Sequence, residues 1–132
     1  MVYVLVVEDD AMTAQLFKII LERKGGFKVT VTDNGEEIIN LLNSGDVNLI
    51  IMDVSLPGTF VNGVQVDGLK LSRMIKENEI TSKIPIILAT AHAMRGDAER
   101  FLEESKADDY IPKPIVDHNL LIEKVKKYLQ NE

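Results

Sequence analysis

Acidic, hydroxyl and basic side chains follow the apolar runs of this chain, each at the point where a run ends. Glu8 and Asp9 come after the first run, Asp53 after the third, Thr90 after the fourth and Lys113 after the fifth. Carboxylates that lie close together repel one another unless a cation neutralises them. Oxygen ligands without cysteine favour a hard ion such as Mg²⁺. If these residues meet, one carboxylate can act as the nucleophile of a phosphoryl transfer, with the lysine and the hydroxyl stabilising the transferred group.

The apolar runs have the length and composition of β-strands. Val2–Val7, Asn48–Met52 and Ile84–Ala89 lack polar alternation, which is typical of strands covered on both faces of a parallel sheet. Lys28–Thr32 alternates and predicts an edge strand, and Asp109–Ile111 is a short fifth candidate. Segments with helical spacing follow each run. Strand–helix repeats of this kind predict an α/β fold with an open parallel sheet, helices on both faces and right-handed crossovers.

Local signals mark the ends of several predicted helices. Asn34 and Glu37 are spaced like a capping pair, Asp117 is placed to cap the last helix, and Gly25 and Gly26 end the first. In open α/β sheets ligands bind at the carboxyl ends of the strands. The polar residues that end the runs are therefore expected to share one edge of the sheet.

Length and charge restrict the class of protein. The chain has 132 residues, which fits one domain, and it contains no cysteine. Its net charge is −6 and it has no long basic cluster, so nucleic acid and anionic membrane are not expected as partners. The N-terminal apolar run is too short for a signal peptide or a membrane span. We expect a cytoplasmic protein.

An inserted segment, Thr59–Val66, precedes the pair Asp67-Gly68. Asn62-Gly63 lies at its centre between apolar and β-branched residues, which predicts a small β-hairpin because both residues tolerate positive φ. A disordered surface insertion is the alternative. Our hypothesis is that the hairpin lies over the acidic residues and restricts access to them.

Motifs along the whole chain resemble those of the response-regulator receiver domain, a member of the CheY-like superfamily. They are VLVVEDD at Val4–Asp10, LIIMDVSLPG at Leu49–Gly58, the pair Asp67-Gly68, PIILATAHAM at Pro85–Met94 and DDYIPKPI at Asp108–Ile115. Together they are highly specific, and residues 1–132 are interpreted as one receiver domain of the single-domain type. This chain departs from the family pattern in the insertion Thr59–Val66, which separates Gly58 from Asp67.

The resemblance implies a fold and a function. The fold is flavodoxin-like, a (βα)5 three-layer sandwich with strand order 2-1-3-4-5. The function is two-component signal transduction, in which the domain accepts a phosphoryl group from a sensor histidine kinase or a histidine phosphotransfer protein and then switches its protein–protein interactions. Such a domain is not an enzyme, beyond catalysing its own phosphorylation and dephosphorylation.

The resemblance also implies roles for the acidic residues. Asp53 is expected to be the phosphoacceptor and a ligand of Mg²⁺, which Mn²⁺ could replace. Asp9 is expected to bind the metal directly, Glu8 mostly through water, and Ser55 through its backbone carbonyl. Asp10 falls just after the acidic pair and is left out of the metal site.

Further residues are expected to bind the phosphoryl group and to respond to it. Lys113, the hydroxyl of Thr90 and the backbone amide of Ala91 are the predicted phosphoryl contacts, and the Lys113–Pro114 peptide bond is expected to be cis. Thr90 and Tyr110 are the predicted switch, with Tyr110 turning inward behind Thr90. In this family the position of His92 borders the site. The alternative interpretation is that His92 is a solvent-facing loop histidine.

The resemblance allows more than one kind of partner and more than one context for the domain. The resemblance places the output on the face built from the fourth helix, fifth strand and fifth helix, and leaves a homodimer open. The favoured reading is a stand-alone receiver; the alternative is a receiver cut from a hybrid histidine kinase, in which the TAHAM segment is common. A phosphatase-type enzyme with an aspartyl-phosphate intermediate is less favoured, because Ser55 stands where a second acid is needed. A flavin carrier is disfavoured because acids follow the first strand.

Overall fold

The structure, a computed structural model, describes residues 2–91 and 96–129. In these residues parallel strands form one central sheet, and a short hairpin stands apart from it. The strands of the sheet are β1 (Tyr3–Val7), β2 (Lys28–Thr32), β3 (Leu49–Asp53), β6 (Ile86–Thr90) and β7 (Asp109–Pro112); those of the hairpin are β4 (Phe60–Val61) and β5 (Val64–Gln65). The sheet has the order β2-β1-β3-β6-β7, which confirms the predicted topology and the edge position of β2.

Helices cover both faces of the sheet, as the strand–helix alternation predicts. They are α1 (Ala11–Arg23), α2 (Gly35–Asn43), α3 (Gly68–Glu77), α4 (Asp97–Ser105) and α5 (His118–Leu129). One apolar core joins the sheet to α2, α3 and α4, and a second joins it to α1 and α5. None of the helices in the described part of the chain is long and apolar enough to cross a membrane.

The central strands serve both cores at once, because alternate side chains of a strand point to opposite faces. In β1, Leu5 and Val7 belong to the core under α2, α3 and α4, while Val4 and Val6 belong to the core under α1 and α5. All five residues of β1 and of β3 are buried. This is why these runs show no polar alternation in the sequence. The strand β6 begins at Ile86, later than the predicted Ile84.

Polar side chains fix the starts of the helices near the carboxyl edge of the sheet. The predicted cap Asn34 accepts a hydrogen bond from the amide of Glu37 at 2.9 Å, and Asp117 accepts one from Leu120 at 3.1 Å. Asp10 caps α1 through the amide of Thr13 at 3.1 Å. The helix α1 ends at Arg23, just before the glycine pair, as predicted. These caps hold the loops that follow the strands in short, defined conformations.

Candidate functional site

Three residues from remote parts of the chain form a compact ionic cluster at the carboxyl edge of the sheet. Glu8 follows β1, Asp53 ends β3 and Lys113 follows β7. The Lys113 Nζ atom lies 2.9 Å from Glu8 Oε1 and 3.1 Å from Asp53 Oδ1. The Glu8 side chain is 1% exposed and that of Asp53 is 6% exposed, so both carboxylates depend on this lysine for neutralisation.

Asp9 completes an acidic group that faces solvent on one side. Carboxylate oxygens of Glu8, Asp9 and Asp53 all lie within 4.8 Å of one another, and Asp9 is the exposed member. The Oε2 atom of Glu8 accepts hydrogen bonds from the backbone amides of Asp9 at 3.1 Å and Asp10 at 3.3 Å. These bonds fix the turn after β1. The side chain of Asp10 instead caps α1, so this residue has a structural use outside the acidic group.

The buried charges shift one another's pKa. Burial, followed by the nearby Glu8 carboxylate, raises the pKa of Asp53 to about 7. Burial also acts to raise the pKa of Glu8, but its hydrogen bonds with Asp53 and Lys113 outweigh that effect and lower it. Burial acts to lower the pKa of Lys113, and its contacts with both carboxylates raise it instead. Of the two carboxylates, Asp53 is therefore the one that takes up a proton first as the pH falls, while the Lys113 ammonium stays charged.

The loops after β6 and β7 bring the remaining predicted residues to the same edge. Thr90 ends β6 and is 2% exposed. Its carbonyl accepts a hydrogen bond from the backbone amide of Lys113 at 2.8 Å. Ala91 follows and is exposed. The Lys113–Pro114 bond is cis, as predicted. His92 lies outside the described residues.

Tyr110, the predicted switch residue, lies on the same face of the sheet as Thr90. Tyr110 of β7 pairs with Leu88 of β6, and Thr90 comes two residues after Leu88, so the side chains share one face. The Tyr110 ring is half-buried and packs against the core under α2, α3 and α4. It is therefore close to the site in the fold without being one of its ionic groups.

The loop after Asp53 is held tightly by backbone contacts that the sequence did not reveal. The amide of Ser55 donates to Asp53 Oδ1 at 3.3 Å, and the amide of Gly68 donates to the Val54 carbonyl at 2.9 Å. A side chain on Gly68 would overlap the Asp53 carbonyl. The glycine of the Asp67-Gly68 pair is thus needed so that the start of α3 can approach the backbone of Asp53. The only signal in the sequence was the motif itself.

The insertion forms the predicted hairpin. Phe60 and Val61 pair antiparallel with Gln65 and Val64, and the turn residues Asn62 and Gly63 have φ of 51° and 78°. The disordered alternative is therefore wrong.

The hairpin docks against the start of α2. The Thr59 hydroxyl donates to the Asp33 carbonyl at 2.7 Å, and a side chain on Gly35 would overlap the Phe60 carbonyl. These contacts join the hairpin to α2. That the hairpin also restricts access to the acidic group stays a prediction.

Comparisons with known proteins agree with the class that this fold and site define, an α/β signalling domain with an acidic site at the carboxyl edge of its sheet. Residues 4–126 match the family described as the response regulator receiver domain, so the chain belongs to that family. It is a receiver domain of two-component phosphoryl signalling. The chain is 35% identical over 126 residues to the polar-differentiation response regulator DivK of Brucella anthropi, covering 96% of this chain and 94% of that protein.

Solved receiver domains share the fold. A signal receiver domain of a signal transduction histidine kinase from Syntrophus aciditrophicus is 31% identical, with a TM-score of 0.78, covering 99% of this chain and 92% of that one. The receiver domain of a sensor histidine kinase from Pseudomonas aeruginosa PAO1 is 27% identical, with a TM-score of 0.80, and 97% of each chain is covered. That second structure has a magnesium ion coordinated in its active site cleft.

Proposed function

We propose that Asp53 is the residue that accepts the phosphoryl group. The observation that supports this most is the position of Asp53 Oδ1, 3.1 Å from the Lys113 ammonium in a cluster that also contains Glu8. A carboxylate needs no base to become a nucleophile once it is ionised, so the site has to supply position and charge neutralisation. A carboxylate oxygen of Asp53 forms a bond to phosphorus while the bond between phosphorus and the donor breaks.

The acidic group fits a divalent metal ion by the chemistry of its donors. Glu8, Asp9 and Asp53 offer hard oxygen ligands within 4.8 Å of one another, and no softer ligand is among them. Bound Mg²⁺ would neutralise negative charge that Lys113 alone does not balance, and Mn²⁺ would substitute for it. We assign Asp53 and Asp9 as direct ligands, Glu8 as a ligand mostly through water, and the Ser55 backbone carbonyl as a further ligand.

The phosphorylated site needs donors for the new oxygens. We assign this role to the Lys113 ammonium, the Thr90 hydroxyl and the Ala91 backbone amide. Phosphorylation adds negative charge and strong acceptor oxygens, so Thr90 is drawn toward the phosphoryl group and Tyr110 turns inward behind it. The face formed by α4, β7 and α5 then changes its preference for a partner protein.

The proposed donor is a phosphohistidine of a sensor kinase or of a phosphotransfer protein, in the cytoplasm. The similarity to DivK, which is a response regulator, supports the interpretation of residues 1–132 as a stand-alone receiver. The similarity to receiver domains of two histidine kinases supports the alternative, a receiver within a hybrid kinase. Neither reading changes the chemistry proposed at Asp53.

Incubation with acetyl phosphate and Mg²⁺, followed by intact mass, tests the assignment of the acceptor. The wild-type protein should gain one phosphoryl group and lose it again in time, and a chelator should prevent the gain. Asp53→Asn should gain none. Asp46→Asn, which removes an exposed carboxylate outside the acidic group, is the matched control and should behave as wild type.

Two results would contradict the proposal. Phosphorylation of Asp53→Asn to the wild-type extent would place the acceptor elsewhere. Steady turnover of a phosphate ester by the wild-type protein would favour the phosphatase-type alternative, since a receiver is expected to catalyse only its own phosphorylation and dephosphorylation.

A further inference from the structure

A second ionic cluster, outside the acidic group, surrounds the carboxylate of Asp109 at the start of β7. The Lys124 Nζ atom lies 3.0 Å from both oxygens of this carboxylate. The amide of Tyr110 donates to Oδ1 at 2.8 Å, and the Tyr128 hydroxyl donates to Oδ2 at 3.0 Å. Both oxygens of Asp109 are therefore engaged, and the lysine is held in one place.

The ion pair is shielded from water. The Lys124 side chain is 23% exposed and the Asp109 side chain 17% exposed, so this pair is screened less than a surface pair. Burial acts to raise the pKa of Asp109, but its hydrogen bonds with the Tyr110 amide and Lys124 outweigh that effect and lower the pKa. The carboxylate stays ionised at neutral pH and remains an anchor for the ammonium.

The same ammonium lies close to the ring of the predicted switch residue, Tyr110. Lys124 Nζ lies 5.8 Å from the centre of the Tyr110 ring, within the range of a cation–π contact. Lys124 belongs to α5, on the opposite face of the sheet from the core against which Tyr110 packs. The contact is made around β7, which is the last strand of the sheet and so has no neighbour to block it.

We propose that Lys124 is a positioning residue for the switch: anchored by Asp109, it holds the Tyr110 ring in its half-buried position, and the ring must leave it to turn inward behind Thr90. The inference rests on the proposed role of Tyr110. The lysine cannot follow the ring, because two of its three donors are bound to the carboxylate on the other face. The contact therefore favours the outward ring, and its loss favours the inward ring.

Tyrosine-ring NMR on the unphosphorylated protein tests the proposal. The chain has three tyrosines, so a ring-labelled sample gives few signals, and Tyr110→Phe identifies the one that matters. Lys124→Gln should raise the ratio of inward to outward ring at least about two- to five-fold, because that is the range for a fully exposed cation–π contact and this one is partly shielded. The rate of phosphorylation from acetyl phosphate should also rise, because the inward-ring state that phosphorylation favours is more populated beforehand.

Two further variants separate positioning from general stability. Lys124→Arg keeps both the charge and the ring contact and should restore the wild-type ring ratio. Lys127→Gln removes an equivalent contact on the same helix, 5.4 Å from the Tyr128 ring, and should leave the Tyr110 signal unchanged. If Lys124→Gln does not fold, Asp109→Asn releases the ammonium from its anchor and gives the same test.

An unchanged Tyr110 signal in folded Lys124→Gln would overturn the inference and leave the ion pair a purely structural contact. Because the ring ratio is measured without phosphorylation, this failure is distinct from failure of the acceptor assignment. A wild-type protein that gains a phosphoryl group with no movement of the Tyr110 ring would also overturn it.

Discussion

Lys113 is the residue on which the electrostatics of the acidic group depend. Its ammonium contacts Glu8 and Asp53 together, and both of these carboxylates are almost completely buried. Two buried negative charges with one positive partner leave an excess of negative charge, which is why the pKa of Asp53 is raised to about 7 by burial and by Glu8. The repulsion between the two carboxylates therefore destabilises the site, and binding of a proton or a metal ion would reduce it.

Removing the charge of Asp53 should stabilise the metal-free protein, and more so at high pH. The folded-state pKa of about 7 lies above the ordinary value of 3.8, so the folded protein holds this proton more tightly than the unfolded chain. The stability of the wild type therefore falls as the pH rises from about 4 to 7. In calorimetry without Mg²⁺, Asp53→Asn should melt a few degrees above wild type at pH 8, with a smaller difference at pH 5. A difference in melting temperature that is larger at pH 5 than at pH 8 would contradict the prediction.

At the scale of the element, the hairpin formed by β4 and β5 can pack against α2 because Gly35 has no side chain. Gly35 in the first turn of α2 lies against the carbonyl of Phe60, and a Cβ atom there would overlap it. Gly58, just before the hairpin, has open space around it. An alanine methyl group would therefore clash with backbone at Gly35 and would meet no atom at Gly58.

Gly35→Ala should cost about 1–3 kcal/mol of unfolding free energy, because backbone must move to admit the methyl group. Gly58→Ala is the matched control and should be neutral or slightly stabilising, since it restricts the unfolded chain without a clash. Urea denaturation of both variants measures the difference. In a protein lacking Thr59–Val66, the cost of Gly35→Ala should shrink, because the clashing carbonyl is gone. Equal costs in both backgrounds would refute this account of the glycine.

Deleting Thr59–Val66 should change the rate at which the protein gains or loses a phosphoryl group. The deletion joins Gly58 to Asp67 and removes the hydrogen bond from Thr59 to the Asp33 carbonyl, which ties the insertion to the loop after β2. Both rates can be followed by mass after addition of acetyl phosphate and after its removal. If neither rate moves while the protein stays folded, the insertion does not restrict access and is a passive addition.

At the scale of the whole molecule, a bound metal ion should appear as a gain in thermal stability. An ion that binds the folded state and not the unfolded chain adds about 2.7 kcal/mol at a hundred times its Kd. Because protons compete for Asp53, whose pKa is about 7, Mg²⁺ should raise Tm more at pH 8 than at pH 5.5. Asp53→Asn should show a much smaller rise at pH 8. A rise as large as that of wild type would mean that the ion binds elsewhere.

Much of the fold could be predicted because its signals are local. The buried runs at β1, β3 and β6, the alternation in β2 and the Asn34 cap are each contained within a few residues. The convergence of Glu8, Asp53 and Lys113 followed from the rule that parallel strands end at one edge. The same rule cannot give a distance, so the sequence does not predict the direct contact of Lys113 with both carboxylates.

Other contacts could not be predicted, since they join distant residues without a local pattern. Gly68 lies against the Asp53 carbonyl, and Gly35 against that of Phe60, and in each case the sequence shows only a glycine near a helix start. The pairing of Lys124 with Asp109 depends on how α5 crosses β7. Such contacts require the packed structure.

The hairpin closes its own backbone hydrogen bonds and adds no strand to the central sheet. Its tip, Asn62-Gly63, is exposed. A short affinity peptide or a fluorophore grafted at that tip would thus leave the strand register intact, since exposed loop tips tolerate insertions well. The grafted probe would be carried by a two-stranded ribbon seated on α2, which offers a fixed attachment point for an optical biosensor built from this protein.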